Sequence, residues 1–259
     1  MKQKNRKIIY YTDEINDEFS KTQITPRVID KSYNYEGGAL RKAGRIFLYH
    51  ILAKPIAFVF LKLRFSHKIV NKKCLKKAKN TGFFLYGNHT NDIADALIPT
   101  IVAHPKSVYV IVHANNVSMP FLGKLTPSLG AVPLPDDKAA SNNFNKVINN
   151  IINKGKCVTI YPEAHIWPYC TWIRNYPDAS FRYPVKYKVP VYCFTNTYHK
   201  KRFGKIPKIV TYVDGPFYPK EELSVREQRK DLHKNVIETM KKRSGNNTVC
   251  LVEYVKKEG

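Results

Sequence analysis

The residues with the most chemical promise stand together in Asn88-His89-Thr90-Asn91-Asp92-Ile93-Ala94-Asp95. A histidine with an aspartate in reach is the pair that activates a hydroxyl. The imidazole takes the proton, while the carboxylate fixes the tautomer and stabilises the imidazolium that forms. Two acids compete for the partner role, Asp95 and Asp92. Asp92 also stands where a helix N-cap is expected, which would leave Asp95 to the histidine. Without such chemistry the same residues are a capped helix and a polar loop. A second stretch repeats the pattern: Val158-Thr159-Ile160-Tyr161 is broken by Pro162 and followed by Glu163 and His165.

Elements of an α/β fold must position these groups. Phe83 to Tyr86 is a β-prone run halted by Gly87, and a helix is expected over 92–103. That puts His89 at a strand's end, where open α/β sheets place their ligands. The continuous apolar run 107–112 suits a buried parallel strand, with His113 at its end. An amphipathic helix follows over 139–154, with Phe144, Val147, Ile148, Ile151 and Ile152 on one face and Gly155 as its stop. Further strands are expected at 8–11, 157–161, 189–195, 208–213 and 248–254. Asp214-Gly215-Pro216 reads as a turn and 220–242 as a charged helix. Strands alternating with helices imply a single α/β domain whose mainly parallel sheet is flanked by helices on both sides.

The order of these motifs resembles the lysophosphatidate acyltransferase family, within the glycerolipid acyltransferase superfamily. The resemblance rests on Asn88-His89 followed by an aspartate and on Tyr161-Pro162-Glu163. Two more elements join them, Met119-Pro120-Phe121-Leu122-Gly123 leading to Leu129-Gly130-Ala131-Val132, and the late strand Val189-Pro190-Val191. It covers residues 45–215 and implies a glycerol-3-phosphate acyltransferase-like fold. The implied reaction is transfer of a fatty acyl group from acyl-CoA or an acyl carrier protein to a hydroxyl of a lysolipid. His89 is then the general base and Asp95 its orienting acid, with Asp92 the alternative. The family places its aspartate five residues after the histidine, where this chain has Ala94. Asn88, Glu163, His165 and Lys138 are the implied substrate-binding residues. The family's phosphate-binding arginines are replaced, by Ile166 after Ala164-His165 and by Pro135-Asp136-Asp137-Lys138 in the second block. The acceptor's phosphate is then left to other cations, such as Lys124, His165 or Arg174. Trp167 and Tyr169 are candidates to line an acceptor or acyl groove. The reaction needs no metal and no cofactor beyond the thioester co-substrate.

Composition narrows the partners. The chain has a formal charge of +24, with no acidic residue between Glu36 and Asp92. In that gap Lys62, Arg64, Lys68, Lys72, Lys73, Lys76, Lys77 and Lys79 follow the apolar run Ile46 to Leu61. Apolar beside basic is the pattern of an anchor on an anionic membrane surface, worth about 1 kcal/mol per basic residue near the leaflet. Lys54-Pro55 interrupts the apolar run, so two short interfacial helices meeting at a kink are expected rather than a straight span. The expected organisation is an N-terminal extension (1–38), a membrane-associating helical segment (39–80) and the α/β domain (81–259). The expected location is the cytoplasmic face of a membrane, in peripheral or monotopic mode. Five scattered cysteines give neither a disulfide framework nor a zinc site. No nucleic-acid motif accompanies the charge, so nucleic acid is not an expected partner. A catalytically altered relative serving as a lipid-binding module is the alternative.

Overall fold

The structure, a computed structural model, describes residues 6–19 and 24–257, so the basic start from Met1 to Asn5 lies outside it. In chain order the first elements are β1 (Lys7–Tyr11), α1 (Ala39–Arg45), a π-helical segment (Ile46–Ala53), α2 (Lys54–Phe65) and β2 (Lys68–Val70). After a 3-10 segment (Lys72–Ala78) come β3 (Phe83–Gly87), α3 (Ala94–Val102), β4 (Val108–Val112), α4 (Asn115–Ser118) and α5 (Leu122–Leu125). Then follow β5 (Ala131–Pro133), α6 (Lys138–Asn153), β6 (Cys157–Ile160), α7 (Arg182–Tyr187), β7 (Val191–His199), β8 (Lys208–Phe217), α8 (Val225–Ser244) and β9 (Val252–Lys256). The seven-stranded sheet runs β2-β8-β7-β3-β6-β4-β5. Five neighbours from β7 to β5 are parallel, β8 runs against β7, and β2 follows β8. β1 and β9 form a separate parallel pair.

β3 is central, and its composition follows from that place. A strand covered on both faces has no polar side, so Phe83-Phe84-Leu85-Tyr86 is apolar throughout. Phe84 and Tyr86 enter the core under α6, α7 and α8, among Phe144, Ile148, Tyr183, Leu232 and Val236. Phe83 and Leu85 enter the opposite core, with Leu61, Phe65, Ile98 and Val102. Gly87 ends the strand against its cross-strand partner Phe194, whose ring would lie 2.1 Å from an added Cβ.

Three expectations are corrected. The run 39–65 is one continuous helical stretch rather than two helices meeting at a kink. The wider π turns precede Pro55, which offers no N–H and crowds the carbonyl four residues back. By length and composition Arg41–Phe65 is long and apolar enough to cross a membrane. Its inner face is nevertheless fastened to the domain: the Tyr49 hydroxyl accepts from Val108 N at 2.9 Å, and Lys54 Nζ donates to the Pro105 and Lys106 carbonyls. Asp214-Gly215-Pro216 is not a turn but part of β8. Gly215 takes φ +120°, and an added Cβ there would meet the Tyr192 ring at 2.8 Å, so only glycine lets the strand close on β7. Finally, Asp92 caps nothing. α3 begins at Ala94, whose N–H is met by Asn91 Oδ1 at 2.9 Å.

Gly87→Ala is expected to cost about 1–3 kcal/mol by forcing a methyl into the Phe194 ring. Urea unfolding checks it, and Phe194→Leu in the same chain should restore part of the loss.

Candidate active site

His89 lies in the loop that joins β3 to α3, and both its backbone and its ring are held. Its N–H donates to Glu163 Oε2 at 3.0 Å, and its carbonyl accepts from Trp167 N at 3.1 Å. The imidazole stacks on Tyr161, with ring centroids 4.4 Å apart at 19°. Nδ1 stands 3.0 Å from Asp95 Oδ2. A carboxylate only accepts, so Nδ1 carries the hydrogen and the neutral ring keeps its lone pair on Nε2. The side chain is 18% exposed while that of Asp95 is 1% exposed. The pair therefore joins a buried carboxylate to an imidazole that reaches the surface.

Asp95 is held by more than the histidine. Oδ2 also accepts from Thr90 N at 2.7 Å and Asn91 N at 2.8 Å, and Oδ1 accepts from Asn196 Nδ2 at 3.2 Å. The six-residue spacing from His89 is absorbed by a loop that folds its own N–H groups onto the carboxylate. Asp92 is exposed and stands apart from this network. Behind Asn196 the chain of bonds continues. Thr211 Oγ1 donates to Asn196 Oδ1 at 2.7 Å and lies 2.8 Å from His67 Nε2. With the hydroxyl hydrogen spent on Asn196, His67 Nε2 must be the donor. Burial pushes the pKa of His67 down to about 4, in keeping with a neutral ring.

The other residues named from sequence fall in different places. Glu163 is wholly buried, and its carboxylate meets Arg174 N, Arg174 Nη2 and His89 N rather than a cleft. Burial pushes its pKa up, opposed by Arg174 and His89. Its contact with the His89 N–H braces the β3–α3 loop. Arg174, a candidate phosphate ligand, is buried: Nη2 donates to Glu163 and to the His165 carbonyl, Nε and Nη1 have no hydrogen-bond partner among the described residues, and the guanidinium lies 4.8 Å from the Trp167 ring. Asn88 is buried too, tying β3 to β7 through both amide atoms with Asn196 N and O. The His165 ring faces Glu18 at 3.6 Å. Lys138 is exposed at the first turn of α6, on the strand edge of β5 and three strands from β3. Lys124 is exposed on α5. Trp167 lines no groove: it is fully buried among Tyr11, Phe19, Trp172 and Tyr254, and Tyr169 packs on Tyr198.

Sequence reasoning missed Asn196, Thr211 and His67. The available signal was an asparagine and threonines inside the apolar run of β7, because buried polar groups are there to be hydrogen-bonded. Among the described residues no group of three or more His, Cys, Asp or Glu side chains gathers as a metal site.

A model of the acyltransferase family matches residues 67–195, a span that holds both motifs and β7 up to Thr195. The chain belongs to the acyltransferase family. Among solved structures, the 1-acyl-sn-glycerophosphate (LPA) acyltransferase PlsC from Thermotoga maritima has the same fold. Its TM-score is 0.57 at 17% identity, covering 83% of this chain and 87% of that one. No curated protein matches the sequence. The buried cysteines of this acyltransferase are poor nucleophiles, since burial raises the thiols of Cys157 and Cys170 to about 12.

Asp95→Asn should lower turnover by roughly 10³-fold or more, because the amide cannot hold the tautomer or the imidazolium. Asp92→Asn should leave it within about twofold; steady-state rates of the two variants decide between the acids. His67 gives a pH prediction for stability. Its folded pKa lies below the unfolded value of about 6.5, so the unfolded chain binds the extra proton. The contribution is full above pH ~6.5 and is lost progressively down to pH ~4, about 3 kcal/mol at most. Urea midpoints at neutral and acid pH should therefore converge in His67→Gln relative to the native chain.

Proposed function

We propose that this acyltransferase moves a fatty acyl group from a thioester, acyl-CoA or acyl carrier protein, to a hydroxyl of a lysophospholipid or related glycerolipid. His89 acts as the general base. The observation that carries the reading is the Nδ1 contact with a carboxylate that is itself fully engaged, which leaves Nε2 as the basic atom. Nε2 takes the hydroxyl proton as the oxygen attacks the thioester carbonyl. The tetrahedral intermediate then expels the thiolate, and the imidazolium returns its proton to the sulfur. The Asp95 carboxylate stabilises the imidazolium that forms. Both carbonyl and hydroxyl come from the substrates, so the protein contributes no covalent intermediate.

The acceptor is drawn from lipids because of one exposed apolar and basic segment. The helical run 39–65 exposes Ile46, Phe47, Ile51, Ile56, Phe58, Val59 and Leu63. Lys62 and Arg64 in its last turn and Lys68, Lys73, Lys76, Lys77 and Lys79 after it are exposed. That combination fits a helix lying in the interface of an anionic leaflet on the cytoplasmic side. The PlsC likeness, an enzyme named for 1-acyl-sn-glycerophosphate, supports the same acceptor class. With Arg174 internal, an acceptor phosphate has no buried arginine to meet it, and uncharged headgroups are equally admissible.

The test is transfer of a labelled acyl chain from acyl-CoA and from acyl carrier protein to a panel of lysolipids in vesicles. The native protein should form diacyl product, and His89→Ala should lose roughly 10²–10⁴-fold. Vesicle binding with no transfer from either donor to any lysolipid would instead make the chain a lipid-binding module.

A further inference from the structure

The hairpin that joins β7 to β8 leaves the sheet on the same edge as His89. β7 runs parallel to β3 with Phe194 opposite Gly87, so both strands end on one side. β7 continues to His199 before turning, which carries the tip ~15 Å or more beyond that edge at about 3.3 Å per residue. Phe203 stands at the tip, 77% exposed, and Gly204 makes the turn at φ +89°. Lys200, Lys201, Arg202, Lys205 and Lys208 flank it, and no acidic residue occurs between Asp178 and Asp214.

The tip is not isolated. Lys201 Nζ donates to the Arg64 carbonyl at the end of α2, and a shallow depression there is lined by Leu63, Arg64, Lys201, Phe203 and Ile206. Leu63, itself 77% exposed, ends a line of exposed apolar residues on α2 that includes Ile56 and Val59. These positions are three and four residues apart, so they lie along one side of the helix. The line therefore runs off the helix and continues at Phe203, with Lys62 and Arg64 adding to the hairpin's cations.

We propose that the β7–β8 hairpin is a second membrane contact of this enzyme, in which Phe203 enters an anionic bilayer and its flanking cations meet the lipid phosphates. The proposal rests on the membrane association put forward above and adds to it an orientation. With the Leu63 end of α2 and the hairpin both on the bilayer, the sheet edge that carries His89 faces the lipid. A lysolipid hydroxyl then reaches Nε2 without leaving the membrane. The charge selects the occupant: a second copy of a chain carrying +24 is repelled, whereas an anionic leaflet is attracted. A nucleic-acid duplex would meet the cations but offer no apolar phase for Phe203 and the α2 line.

The experiment uses the full chain and vesicles of phosphatidylcholine, alone or with about a third phosphatidylglycerol. In flotation, Phe203→Ser should bind the mixed vesicles about tenfold more weakly. Arg202→Ala/Lys205→Ala should lose a similar factor on mixed vesicles and little on phosphatidylcholine alone. Phe203→Trp reports insertion directly, since its added emission should shift to the blue and be quenched by brominated lipid. These tip residues are exposed, and an unchanged urea midpoint confirms that each variant folds. If the native chain and all variants float equally, the hairpin is not a contact although the membrane association stands. If the native chain itself does not float, the membrane association falls, and the hairpin proposal with it. Loss of duplex binding or of self-association in Phe203→Ser, with flotation unchanged, would also overturn the proposal.

Discussion

The carboxylate of Asp95 is the constraint on which the site depends. Four donors converge on it: the His89 ring, the Thr90 and Asn91 N–H groups, and the Asn196 amide. A buried carboxylate is costly unless its lone pairs are met, and here three of the four donors are fixed by the fold rather than by the histidine. The imidazole therefore meets an acid that cannot swing away. The β3–α3 loop adopts its shape for the same reason, because its own N–H groups are the ligands of that acid. Asn196 then extends the support across β7 to Thr211 on β8 and His67 before β2.

A second buried acid does a different task. Glu163 and Arg174 form an internal pair that holds the His89 N–H from the side of β6. Breaking such a pair strands a charge in a nonpolar setting, so the two residues stand or fall together. The N-terminal segment reinforces this wall: Trp167 Nε1 donates to the Asp17 carbonyl, and Asn175 N to the Glu14 carboxylate. β1 and β9, near the chain's two ends, thus close over the loop that carries Glu163.

Much of this was legible in the sequence, and the exceptions have physical causes. The strands around Phe83–Tyr86 and Val158–Ile160 announce themselves because apolar runs of that length bounded by Gly or Pro have few other places to go. Asp95 was readable as the partner from its position in the first turn of the helix. Asp92 was misread because Asn91, its neighbour, caps equally well and only the loop geometry decides. The Glu163–Arg174 pair was not legible, because local pattern gives no sign that Arg174, eleven residues on, turns inward. The helical run 39–65 looked broken at Pro55 because π turns have no propensity signature. Asn196, Thr211 and His67 are distant in sequence, and only the β7–β8 register brings two of them together. Charge was legible as a total but not as a distribution: Arg45, Lys54, Lys72 and Lys106 are turned onto backbone carbonyls of the domain, leaving others to face outward.

The central claim concerns one hydrogen atom, and nitrogen-15 NMR of the His89 ring in the resting protein observes it directly. Above pH ~7.5, where an ordinary imidazole is neutral, the account predicts the Nδ1–H tautomer, with Nε2 showing the shift of an unprotonated nitrogen. A ring that carries its hydrogen on Nε2 under those conditions would contradict it.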